Sequence, residues 1–140
     1  MKNIPSTKIE LSCSKISIIR DLDEFAKLLI PGNKMHQRVF LAIFVELKYA
    51  SGQFIPTLRS VCERYEISPR MLETVRSKMR RLGIIDHVSR FNKAFGYREG
   101  WVFSSRFSRS LARLAELEKS FRQRTDRLQE KKDKDLHLYL

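Results

Sequence analysis

Residues 57–85, TLRSVCERYEISPRMLETVRSKMRRLGII, constrain the fold of this chain more than any other stretch. Thr57 can cap a first short helix, because its hydroxyl accepts one of the backbone N–H groups left unpaired at a helix start. Leu58, Val61, Cys62 and Tyr65 then recur at spacings of three and four, the period of one buried helix face. Glu66 and Ile67 break that helix. Ser68 followed by Pro69 is a second start signal, a capping hydroxyl with proline at the first helical position. Leu72, Val75, Met79 and Leu82 repeat at 3, 4, 3, and Gly83 supplies a C-terminal stop. The stretch predicts two short helices joined by a tight turn, their apolar faces aimed at one core.

The rest of the chain has to complete that core. Ile9, Leu11 and Cys13 alternate with Glu10 and Ser12, and Ile16 and Ile18 resume the alternation, which predicts a strand or an extended arm. Residues 21–30 read as a short helix with acids in its first turn, ended by Pro31-Gly32-Asn33. From residue 33 or 34 to Ala50 a longer helix carries Phe40, Ile43, Phe44 and Leu47 on its inner stripe. Phe54 and Ile55 precede Pro56 and are extended. Beyond Gly83, Ile84-Ile85 and Trp101-Val102-Phe103 bracket a polar, basic segment and predict a hairpin, with Trp101 in the core. Ser104 and Ser105 can cap a last long helix, in which Phe107, Leu114, Phe121 and Leu128 fall at intervals of seven, flanked by Leu111 and Leu117. The heptad is imperfect, since Glu118 and Thr125 occupy the companion seam. The tail, with Leu136, Leu138 and Leu140 alternating, reads either as disordered or as an added strand. The expected organisation is an N-terminal extension (1–32), a central domain (33–104), a C-terminal dimerisation helix (105–132) and a tail (133–140).

Charge bounds the partners. The formal net charge is +12 over 140 residues, and residues 57–109 hold 12 Lys and Arg against 5 Asp and Glu, +7 of that total. Nucleic acid is the commonest polyanion for such a surface, and an acidic membrane is second. Residues 1–20 lack the continuous apolar core of a secretory signal. The longest apolar run, 39–45, is far short of the roughly 20 residues that span a bilayer. Cys13 and Cys62 are far apart and form no CxxC pair, so zinc and redox motifs are unsupported. A cytoplasmic protein, nucleoid-associated when bound to DNA, is the expectation.

Helix, short strand, helix, turn, helix and hairpin is an order that resembles the winged helix-turn-helix DNA-binding domains of prokaryotic and archaeal type. Ile67-Ser68 is similar to that family's apolar-then-serine lead into the recognition helix. Leu72, Val75 and Met79 stand where that helix turns inward, and Gly83-Ile84-Ile85 resembles the usual Gly-Leu-Ile exit into the wing. The likeness covers residues 34–103 and departs from the family at Arg76, where many members place leucine, and at Pro69. It implies a mainly α fold with a small β-hairpin wing (α+β), a winged helix-turn-helix with a long C-terminal helix. It also implies DNA binding, usually as a dimer on a two-fold site, in transcription control or plasmid-type maintenance.

The residues themselves support that surface. With Leu72, Val75, Met79 and Leu82 inward, Arg70, Glu73, Thr74, Ser77 and Arg81 project outward at about 100° per residue. Arginine offers paired donors to a guanine edge, and Ser or Thr contacts a base or a phosphate. Ser68 joins this recognition set, while Arg76, Lys78 and Arg80 flank it for phosphates. Thr57 and Arg59 at the first helix, and Arg90, Lys93 and Arg98 in the wing, complete the expected DNA-binding residues. Phe91, Phe95 and Tyr97 interleave with the wing cations; packing onto the core is expected ahead of base stacking. Phe107, Leu111, Leu114, Leu117, Phe121 and Leu128 are the expected dimerisation residues.

His36, His87 and His137 are scattered without partners at ligand spacing, and no glycine-rich phosphate loop exists, so no enzyme, metal, cofactor or small-molecule ligand is expected. The function expected is sequence-specific binding of double-stranded DNA by a homodimeric transcriptional regulator, with residues 69–82 in the major groove and a basic wing at 86–100. The alternatives are a replication-initiator or partition protein of a mobile element, and a winged-helix protein–protein adaptor.

Overall fold

A computed structural model describes residues 9, 11–93 and 96–140, with Arg90 and Asn92 described by backbone alone. Glu10 of the expected N-terminal alternation, Phe95 of the wing and the side chain of Arg90 lie outside the described residues. The chain divides into two compact units, Met1–Phe107 and Ser108–Leu140.

In the first unit α1 (Cys13–Ser17), α2 (Leu22–Leu29) and α3 (Lys34–Lys48) precede β1 (Phe54–Ile55). Then come α4 (Arg59–Tyr65), α5 (Pro69–Leu82), β2 (Ile85–Asn92) and β3 (Gly96–Phe103). The sheet is antiparallel in the order β1-β3-β2, with Phe54 opposite Val102 and Ile85 opposite Phe103. Mainly helical, with a small three-stranded sheet and a projecting β2–β3 hairpin, this is a winged helix-turn-helix architecture.

Burial follows the apolar periods. Val39, Phe40, Ile43 and Leu47 of α3 meet Val61 of α4, Val75 and Met79 of α5, and Ile85 of β2, all with essentially no exposed surface. α2 belongs to this core as well. Phe25 packs edge-on against Phe40 (centroids 6.2 Å), Phe44 (6.4 Å) and Phe107 (6.3 Å), and Phe44 lies 4.9 Å from Phe103. Thus the first unit takes in α2 and Phe107 in addition to the expected 33–104.

Local chemistry sets the helix limits. Thr57 Oγ1 accepts the Arg59 N–H at 3.2 Å, although the helix itself begins with Leu58 in the capping position. Glu66 takes a left-handed conformation (φ 54°), and buried Ile67 follows it as the anchor of the turn. Ser68 caps α5 by accepting the Met71 N–H at 3.2 Å, with Pro69 next. Glu46 of α3 fastens α4 by accepting from Arg64 (2.7 Å) and the Tyr65 hydroxyl (3.0 Å).

The exit from α5 is more tightly specified. Gly83 sits at φ 82°, its N–H donates to the Arg80 carbonyl (3.0 Å), and the Ile84 N–H donates to the Met79 carbonyl (2.9 Å). This is the Schellman arrangement, which satisfies the last carbonyls of a helix and reverses the chain. The Phe107 N–H returns to the Gly83 carbonyl at 3.0 Å. Arg106 binds the Arg80 carbonyl (2.8 Å) and the Asp86 carboxylate, whose pKa is lowered chiefly by that hydrogen bond. Gly100 answers a different need: a Cβ there would meet the Ile55 carbonyl oxygen at 2.6 Å, so glycine lets β1 approach β3.

Three expectations change at the ends. The arm expected around 9–18 contains helix α1, capped by Ser12, with the Ile16 N–H bonded to the Ser12 carbonyl at 2.8 Å. The single helix expected over 105–132 is two, α6 (Arg106–Arg122) and α7 (Arg127–Asp135). Asp126 starts α7 afresh by accepting the Gln129 N–H at 2.9 Å. The tail is neither a strand nor disordered: Leu136–Tyr139 forms a 3-10 turn. Among the described residues no helix is long and apolar enough to cross a membrane.

Replacing Gly83 with alanine should lower stability by at least about 2 kcal/mol, since a left-handed residue with a Cβ costs roughly 1–2 kcal/mol. That Cβ would also lie 2.8 Å from the Phe107 nitrogen. Urea unfolding of the wild type and Gly83→Ala measures the difference.

Candidate nucleic-acid interface

α5 presents one face to solvent because its opposite face is docked. Leu72, Val75 and Met79 are buried, and Leu82 is half-buried. On a helix of 100° per residue, Arg70, Thr74, Ser77 and Arg81 then fall within one outward sector. Arg70 and Arg81 lie about 16 Å apart along the axis at 1.5 Å per residue. Arg70, Glu73, Arg80 and Arg81 are exposed; Thr74 and Ser77 are half-buried. Neither Arg70 nor Arg81 pairs with an acid among the described residues.

Hydroxyl chemistry narrows what this face can do. The Thr74 hydroxyl donates to the Arg70 carbonyl at 3.0 Å, so it keeps only acceptor capacity. It can receive an amino group but has no proton left for a phosphate oxygen. The Ser68 hydroxyl accepts in its cap and so keeps its own proton to donate.

Two cations assigned to phosphates from the sequence also make contacts within the domain. Arg76 places its guanidinium 5.0 Å from the centroid of buried Trp101, a cation–π contact between α5 and the wing. Lys78, on the other side of the helix, puts Nζ 2.7 Å from Nδ1 of His36 on α3. Burial lowers the pKa of Lys78, and burial followed by the Lys78 charge lowers that of His36. Lys78 therefore donates to a neutral imidazole. The outward face of α5 is bracketed by these contacts, one to α3 and one to β3.

Around it, Arg59 is exposed at the start of α4 and Thr57 is exposed before it. In the wing Lys93 is exposed at the turn, and Arg98, register partner of Arg90, lies with its guanidinium 5.1 Å from the Phe54 ring centroid. The expected packing of wing aromatics onto the core fails for two of the three. Phe91 and Tyr97 are 75% and 62% exposed and directly opposite each other in the hairpin. Sequence reasoning missed their exposure, because alternation from buried Ile85 puts residue 91 on the core-facing side and does not show where the core ends beneath the hairpin. Trp101 is buried as expected and packs edge-on against His87 at 4.9 Å.

The expected dimerisation set divides. Phe107 is half-buried against the core of the first unit through Phe25. In the second unit, Leu111, Leu114 and Phe121 are exposed on α6 with Leu117 half-buried, whereas Leu128 stands on the separate helix α7. Among the described residues no group of His, Cys, Asp or Glu could hold a metal ion, and Cys13 and Cys62 are unpaired thiols.

Comparison with known proteins finds no matching family model, no similar curated protein and no similar solved structure.

The His36–Lys78 contact carries a pH dependence. A base whose folded pKa is lowered contributes full stability above its unfolded value, 6.5 for histidine, and loses it as pH falls through the lower folded value. Wild-type stability should therefore decline on acidification through this window. His36→Gln, which keeps an acceptor but does not titrate there, should flatten the decline; denaturant titrations at a series of pH values measure both.

Proposed function

We propose that the protein binds double-stranded DNA sequence-specifically, with α5 in the major groove and the β2–β3 wing along the adjoining backbone, as a homodimeric transcriptional regulator. The observation that carries this reading is the outward face of α5. Two arginines that pair with no acid among the described residues stand in line on a capped helix, with Thr74 and Ser77 between them and a single carboxylate, Glu73, beside them. An arginine on such a face can offer parallel donors to the guanine edge. The excess positive charge of residues 57–109 supplies the less specific attraction to phosphates. The internal engagement of Arg76 and Lys78 supports the reading differently: it holds α5 at a fixed angle, which a groove-reading helix requires.

The dimer rests on α6. Leu111, Leu114, Leu117 and Phe121 lie on one side of that helix, and three of the four are exposed. A second copy of the same stripe would cover them and present two recognition helices to a two-fold site.

The test is binding to DNA duplexes, including a selected random pool, at moderate salt. The wild type should bind more tightly than a charge-matched control protein. Arg70→Glu with Arg81→Glu should weaken binding by about a hundredfold or more while melting temperature is retained. Wild-type binding no tighter than the control contradicts the proposal.

A further inference from the structure

The outer half of the wing is built differently from its base. β1 pairs with β3 only at Trp101 and Val102, so from Gly100 outward the hairpin is a two-stranded ribbon. One face of this ribbon carries Ile85, His87, Ser89 and Phe91 opposite Phe103, Trp101, Glu99 and Tyr97. Near the base that face is core: Ile85 and Trp101 are buried, and Arg76 of α5 lies over Trp101. The Phe91–Tyr97 pair continues the same face about 13 Å beyond Trp101, at roughly 3.3 Å per residue, where no core remains to cover it. The Tyr97 hydroxyl donates to Glu99 Oε1 at 3.0 Å, which holds that ring in place.

We propose that Phe91 and Tyr97 form a wedge that enters the minor groove of bound DNA and unstacks a base step. The inference rests on the DNA-binding reading and specifies what the wing does within it. Apolar side chains inserted between base pairs are a known way to kink a duplex, and flat rings suit the faces of bases. The occupant is chosen by charge. Residues 87–99 hold Arg90, Lys93 and Arg98 against one carboxylate, Glu99, which accepts from the Tyr97 hydroxyl, so the two rings project from a strip of net positive charge. Arg90 and Arg98 are moreover register partners, an arrangement of like charges that a neighbouring polyanion favours. Residues directly opposite each other in a hairpin can also steady it, so the test has to separate that role from insertion.

Phe91→Val with Tyr97→Val makes the separation, because valine keeps a strand-favouring side chain and removes the flat ring. The probes are a short fully paired DNA duplex and the same duplex with one central T·T mismatch, each carrying 2-aminopurine beside the centre. A mismatch lowers the energy needed for unstacking, so the wild-type protein should prefer the mismatched duplex by roughly fivefold or more and raise 2-aminopurine fluorescence on binding. The double variant should bind both duplexes alike without the fluorescence rise, and Phe91→Tyr should restore both signals. If the wild type binds DNA but shows neither preference nor fluorescence change, or if the double variant retains both, the wedge is overturned and the DNA-binding reading stands. Both duplexes carry a sequence recovered by selection from a random pool; failure of that selection to yield any bound duplex overturns both readings.

Discussion

The left-handed cap at Gly83 is the constraint on which the rest of the domain depends. It ends α5, reverses the chain into β2 and offers its carbonyl to the first turn of α6. Arg106 reinforces the same point by joining the Arg80 carbonyl to the Asp86 carboxylate, and Phe107 carries the junction into the aromatic cluster around Phe25. Within the first unit, α5, the wing and residues 106–107 therefore meet at one corner. A change there alters the angle between the helix face and the hairpin, which together form the proposed contact surface.

From that corner the cationic residues sort themselves by position around α5. Those within the outward sector, Arg70 and Arg81, have no acidic partner among the described residues. Those on its flanks, Arg76 and Lys78, are drawn to Trp101 and His36. The flanking contacts are to uncharged rings, so they keep the positive charge of Arg76 and Lys78 while they hold the helix on both sides. Positive charge thus has two uses on one helix, and angular position separates them.

Much of this was legible because it is local. Ser68-Pro69, the 3, 4, 3 spacing from Leu72 and the stop at Gly83 each specify backbone geometry within a few residues, and α5 forms between those marks. What could not be read depended on contacts distant in sequence. His36 and Lys78 are 42 residues apart and meet only because α3 packs on α5. The exposure of Phe91 and Tyr97 follows from where the core ends beneath a hairpin, not from their own neighbours. The division between α6 and α7 was legible but overlooked: Asp126 three residues before Gln129 is a start signal, and the interval of seven leading to Leu128 concealed it.

The central claim is that the outward face of α5 and the wing form one surface for DNA. Backbone amide chemical shifts of the full chain, recorded with and without a short duplex recovered by selection, test it most directly. The largest changes are expected at residues 68–81 and 90–98. Changes concentrated in 108–140 or on α2, with α5 and the wing unmoved, would contradict the account.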